Sequence, residues 1–183
     1  MYRLPSLGSL SGQPAYADVR VAWAREGLAI HVTVEGKRQL PWCRATRPDE
    51  SDGFHLWLDT RCSPNIHRAT QYCHRFLFMP AGGGPKKDRP LARLLEINRA
   101  RSHPKQVPPE GIGVHALPRH DGYVLSGIIP TASLTGYDPD DQSRIGFYYA
   151  VIDRELGWQT LGVGPEYPFD EDPALWAEAV LCD

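Results

Sequence analysis

The sequence predicts an all-β fold: an antiparallel β-sandwich with a long, partly helical insertion around 80–110. Three observations predict it. Apolar and polar residues alternate over many short stretches, the period of a strand with one buried face. Seventeen glycines and seventeen prolines fall between these stretches, where a chain of short strands needs its turns. The 183 residues suit one domain, 1–183, large enough to bury a real hydrophobic core.

The elements follow in order. ADVRVAWA at 17–24 alternates, with Val19 and Val21 sharing a face. GLAIHVTVEG at 27–36 alternates again through Leu28, Ile30, Val32 and Val34, and the REG between the two reads as a hairpin turn. DGFHLWLD at 52–59 puts Phe54, Leu56 and Leu58 on one side and His55, Trp57 and Asp59 on the other. YCHRFLFM at 72–79 sets Tyr72, His74, Phe76 and Phe78 against Cys73, Arg75, Leu77 and Met79. The exception is DRPLARLLEINRAR at 88–101, where Leu91, Leu94 and Leu95 recur at helical spacing and predict a short helix. GIGVHAL (111–117), GYVLSGIIP (122–130), RIGFYYAVID (144–153) and LWAEAVL (175–181) complete the strands. TASLTGYDPDD at 131–141 reads as a turn or single helical turn, ended by Gly136.

Composition excludes several function classes. The net charge is −2 and the basic residues are scattered, so no nucleic-acid partner is expected. No stretch has the apolar length that crosses a membrane. The opening MYRLPSLGSLSGQPAY lacks a basic start followed by an apolar block, so the expected location is cytoplasmic. Cys43, Cys62, Cys73 and Cys182 include no CxxC pair and read as free thiols. GGG at 82–84 lacks the Lys-Ser/Thr ending of a phosphate loop.

DTRCSPNIHRATQYCHRF at 59–76 gathers ligand-type residues, and His67, Cys73 and His74 are its candidates for a metal. In a strand, Cys73 and His74 point to opposite faces, and the spacing matches none of the common zinc patterns. The expected metal set is therefore none, with calcium at the acid clusters DESD (49–52) or DPDD (138–141) the cofactor left open. No GxSxG elbow occurs, and no acid, base and nucleophile stand together, so the chain does not read as an enzyme.

SDGFHLWLDTR, DGYVLSGIIP, RIGFYYAVID and DEDPALWAEAVL, in that order, resemble the family 9 carbohydrate-binding modules and the related DOMON-like sandwiches. The resemblance implies a jelly-roll-like sandwich that binds a terminal sugar between two aromatic rings. One ring lies before the first of these strands and the other before the closing Asp-Pro. Trp42 fits the first place, and Tyr167 or Phe169 the second. His55, Trp57, Arg75 and Tyr149 are expected to face away from the core and to supply polar contacts. Where sugar-binding members carry carboxylates, this sequence has His55 and Ser126. The expected function is a non-catalytic domain that binds carbohydrate or a similar polyhydroxylated ligand by aromatic stacking. The alternatives are a metal- or haem-binding DOMON-like domain and a protein-interaction domain working through the 80–110 insertion.

Overall fold

The computed structural model describes residues 1–182; residue 183 lies outside the described residues. Eleven strands run β1 (Tyr2–Arg3), β2 (Ala17–Ala24), β3 (Gly27–Glu35), β4 (Gly53–Asp59), β5 (Cys73–Gly83), β6 (Arg89–Leu95), β7 (Gly113–Arg119), β8 (Gly122–Pro130), β9 (Arg144–Asp153), β10 (Gly157–Thr160) and β11 (Ala177–Val180). They form two antiparallel sheets. One has the order β1-β2-β3-β8-β7; the other runs β10-β9-β4-β5-β6, with β11 also on β9. β10 pairs with residues 150–153 of β9 and β11 with residues 144–147, so both share the edge opposite β4.

Alternation settles which face of each strand meets the other sheet. Val19, Leu28, Ile30, Val32, Val34, Tyr123 and Leu125 line the first sheet's inner face and are buried. Phe54, Leu56, Phe76, Phe78, Tyr149 and Val151 answer from the second. Phe54 packs against Phe78 at 6.3 Å and Tyr149 at 6.0 Å between ring centroids. At Gly127 the sheets pack tightly: a Cβ built there would lie 2.4 Å from Phe78 Cε1.

The helix expected over 88–101 is absent; residues 89–95 form β6 instead. Its partner is β5, in the register Arg75↔Leu95 through Met79↔Leu91. Leu94 lies opposite Phe76, while Leu91 and Leu95 lie on the other face. Leucines on both faces of a strand mimic helical spacing, and the ladder to β5 satisfies a backbone that a short helix would leave marginal. The expected insertion thus dissolves into the end of β5, β6 and a loop from 96 to 112. Among the described residues the only helical pieces are short 3-10 turns, one of them at Thr131–Ser133 inside the expected turn region.

Candidate functional site

β4 positions the site, being the central strand of its sheet and flanked by β9 and β5. Every residue from Gly53 to Asp59 is buried, so both faces of the strand are covered. The inner face is covered by the opposite sheet. The outer face is covered by two loops. Residues 161–176 bring Phe169 down onto it, stacked on Tyr148 at 4.7 Å and edge-on to Trp57 at 5.3 Å. Trp176 Nε1 donates to Phe169 O at 2.7 Å and fixes that loop. From the other side, the loop at 36–52 lays Ala45 O on Arg93 Nη1 at 3.1 Å and Asp49 on Arg75.

This arrangement corrects the expectations for Tyr149 and Phe169 and places His55 and Trp57 in a covered layer. Tyr149 does not face away from the core: it pairs with Leu56 on the inner face, and its hydroxyl donates to Pro5 O at 2.7 Å. Phe169 is no exposed ring but sits in the Trp57–Tyr148–Trp158 cluster. His55 and Trp57 do point outward from the sandwich, as alternation requires, yet they are 0% and 1% exposed. The cause is tertiary, since outward from the sheet is not outward to water when loops lie above it.

Arg75 lies opposite Trp57 in the β4–β5 ladder, with its guanidinium carbon 5.1 Å from the Trp57 ring. His55 stacks on Trp57 at 5.6 Å. An arginine only donates, so the 3.2 Å contact between Arg75 Nη2 and His55 Nδ1 makes Nδ1 the acceptor and leaves the ring proton on Nε2. Burial, and then the Arg75 charge, hold the His55 pKa well below the usual value, so the ring is neutral. Asp49 is the carboxylate that meets Arg75, and its side chain is 66% exposed.

A second polar group anchors the first loop. Lys37 Nζ, almost wholly buried, donates to Asp52 Oδ2 at 3.0 Å and Asp153 Oδ2 at 2.5 Å. Asp52 also accepts the backbone N–H groups of Trp42 and Arg154, and Asp153 those of Glu155 and Leu156. Burial opposes the Lys37 charge, but the bonds from Asp153 and Asp52 outweigh it and raise the pKa. No local sequence pattern links Lys37 to acids 15 and 116 positions away.

Trp42 hangs from this hub, half-buried, with Arg154 4.3 Å and Arg44 5.2 Å from its ring centroid. Its anchor, Asp52, lies five positions before Trp57, roughly 16 Å along an extended strand. With Phe169 sealed over Trp57, Trp42 and Phe169 do not form a two-ring clamp. Tyr167, 51% exposed, is the aromatic ring of the second loop that solvent reaches.

The metal candidates do not converge. His67 Nδ1 meets Asp172 at 3.0 Å on the surface. His74 lies on the inner face, stacked on Phe76, donating to Tyr72 O and accepting from Thr135 N. Cys73 is on the opposite face of the same strand. All four cysteines are free. Among the described residues no three His, Cys, Asp or Glu side chains are placed to hold one ion. None of the described helices is long and apolar enough to cross a membrane. A groove of about 1080 Å³ beside the first sheet includes Asp18, Arg20, His31 and Glu35, and there Asp18 pairs with Arg3 and Arg20.

Fold and covered outer face together define a class: a two-sheet sandwich with the fold of the family 9 carbohydrate-binding modules. A module of that family from Caldicellulosiruptor kristjanssonii, solved in complex with cellotriose, is similar at a TM-score of 0.62 and 14% identity, over 88% of this chain and 72% of that one. The same module with glucose gives 0.62 and 14%, over 88% and 74%. A protein from Bacteroides uniformis ATCC 8492 gives 0.56 and 15%, over 88% and 76%. No sequence-family model matches the chain, and no curated protein matches it by sequence.

Proposed function

We propose that this chain is a non-catalytic carbohydrate-binding domain whose ligand docks on the loops at 36–52 and 161–176 over the outer face of the six-stranded sheet. The observation that carries this reading is the shared fold with a module crystallised with cellotriose and with glucose. Local chemistry supports it. Trp42 and Tyr167 offer rings on the two loops, and sugar C–H faces stack on such rings. Arg44 and Arg154 offer donors for hydroxyls beside Trp42. The arginines now over Trp42 hold a place that a sugar face would take, so docking exchanges a cation–π contact for a stacked pyranose.

Calorimetry with glucose, cellotriose and a panel of other mono- and oligosaccharides tests this. At least one sugar should bind, and Trp42→Ala should weaken that binding about tenfold, the effect of losing one stacking contact. No heat with any sugar on the panel, at protein concentrations that detect millimolar affinity, would refute the proposal.

A further inference from the structure

Three hydrogen-bond donors are buried without a protein partner on one patch of the outer face: His55 Nε2, Trp57 Nε1 and Arg75 Nε. His55 and Trp57 are two positions apart on β4, and Arg75 is the cross-strand neighbour of Trp57, so the three side chains are contiguous. The tautomer matters. Because Arg75 occupies His55 Nδ1, the free Nε2 is an N–H. All three unpartnered groups are therefore donors, and one belongs to a cation. Buried donors left unmade cost on the order of 1–3 kcal/mol each, so a fold that keeps three together is poised for an acceptor. Hydroxyls both donate and accept; a carboxylate only accepts, and its two oxygens match the paired N–H groups of a guanidinium.

The chain already supplies one carboxylate here. Asp49 reaches Arg75 Nη2 from an exposed three-residue turn, Pro48–Glu50, while Arg75 itself is 7% exposed. The root of that turn is held by Ser51, whose hydroxyl bonds to Arg44 O and Arg47 O. Its tip carries only Asp49 and Glu50 into solvent. Asp49 is the solvent-facing member of the pair, its side chain 66% exposed against 8% for Arg75.

We propose that His55, Trp57 and Arg75 form a carboxylate niche, that Asp49 is its resident stand-in, and that the ligand is an acidic sugar whose uronate group displaces Asp49. This deepens the carbohydrate reading and rests on it. A neutral imidazole beside an arginine leaves the niche cationic.

The test compares glucuronate and galacturonate with glucose, galactose and sodium acetate, by calorimetry and by the indole N–H resonance of Trp57, assigned with Trp57→Phe. A uronate should bind at least tenfold tighter than its neutral counterpart and shift the Trp57 indole signal. Asp49→Ala, a change at an exposed site that leaves the core intact, should tighten uronate binding several-fold and leave neutral-sugar binding unchanged. Arg75→Gln should abolish the uronate preference. Neutral sugars binding as well as uronates, in both wild type and Asp49→Ala, would overturn the niche while leaving the carbohydrate reading standing. Acetate binding as tightly as the uronates would overturn the sugar part. No binding of any sugar would overturn both.

Discussion

His74 shows how a ligand-type residue becomes a structural one. Its ring donates to Tyr72 O at 3.0 Å and accepts the Thr135 N–H at 2.9 Å, which leaves no nitrogen for a metal. Burial pulls its pKa from 6.5 to about 4, against the backbone contacts of Tyr72 and Leu58 that raise it. The unfolded chain therefore binds the extra proton between those values, and stability falls as pH falls from 6.5 toward 4. His55, also depressed, acts in the same direction. His74→Gln keeps a donor and an acceptor but does not titrate. Urea unfolding at pH 7 and pH 5 should show wild type losing roughly 2 kcal/mol more than this variant. Equal losses would mean that His74 is not held neutral. Lys37 has the opposite sign: its raised pKa contributes stability below its unfolded value, near 10.5, which is lost as pH climbs through the folded one. Lys37→Met leaves Asp52 and Asp153 facing each other in the interior. Denaturant titration at pH 7 should show a loss of about 3–5 kcal/mol, the cost of breaking a buried pair from one side. Asp52 was legible as an acid of the DESD cluster; the lysine it shares with Asp153 was not, since sequence proximity carries no trace of a contact across 116 positions.

Elements divide by how much of their environment is local. The hairpin of β2 and β3 was readable because alternation and the Arg25–Gly27 turn act within twenty residues, and the register Val19↔Val32 follows. β6 was misread because the pattern that decides it belongs to β5. At β4 the alternation was right and its consequence wrong. The run Phe-His-Leu-Trp-Leu has no charge between Gly53 and Asp59, and an uncharged run of this kind marks a strand covered on both faces. That signal was available and would have moved His55 and Trp57 from the surface to a buried layer. The approach of the sheets at Gly127 is likewise an element-scale constraint. Gly127→Ala forces its methyl group against Phe78 and Ile30. Thermal and urea unfolding should report a loss of about 1–3 kcal/mol, typical of an overfilled core. A neutral result would mean that the two sheets separate there at little cost.

For the whole molecule, one hydrophobic core cluster draws residues from both sheets. The chain ends meet, with Trp23 Nε1 and Tyr2 Oη both donating to Cys182 O and Leu181 N to Ser143 O. We expect the 1–183 chain to unfold as a single domain: far-UV circular dichroism and tryptophan fluorescence should give coincident transitions, and two separated transitions would contradict that. The sequence by itself determined the sandwich class, the positions of most strands, the separation of Cys73 from His74 and the outward direction of His55, Trp57 and Arg75. Each follows from a period of two along an extended backbone, which is a local property. Only the tertiary structure decided that 89–95 is a strand, that Tyr149 and Phe169 belong to packed interiors, and that two loops roof the outer face over three unpartnered donors. Those outcomes depend on which surfaces meet after the chain closes, and long-range packing energies are not written in the alternation of any one segment.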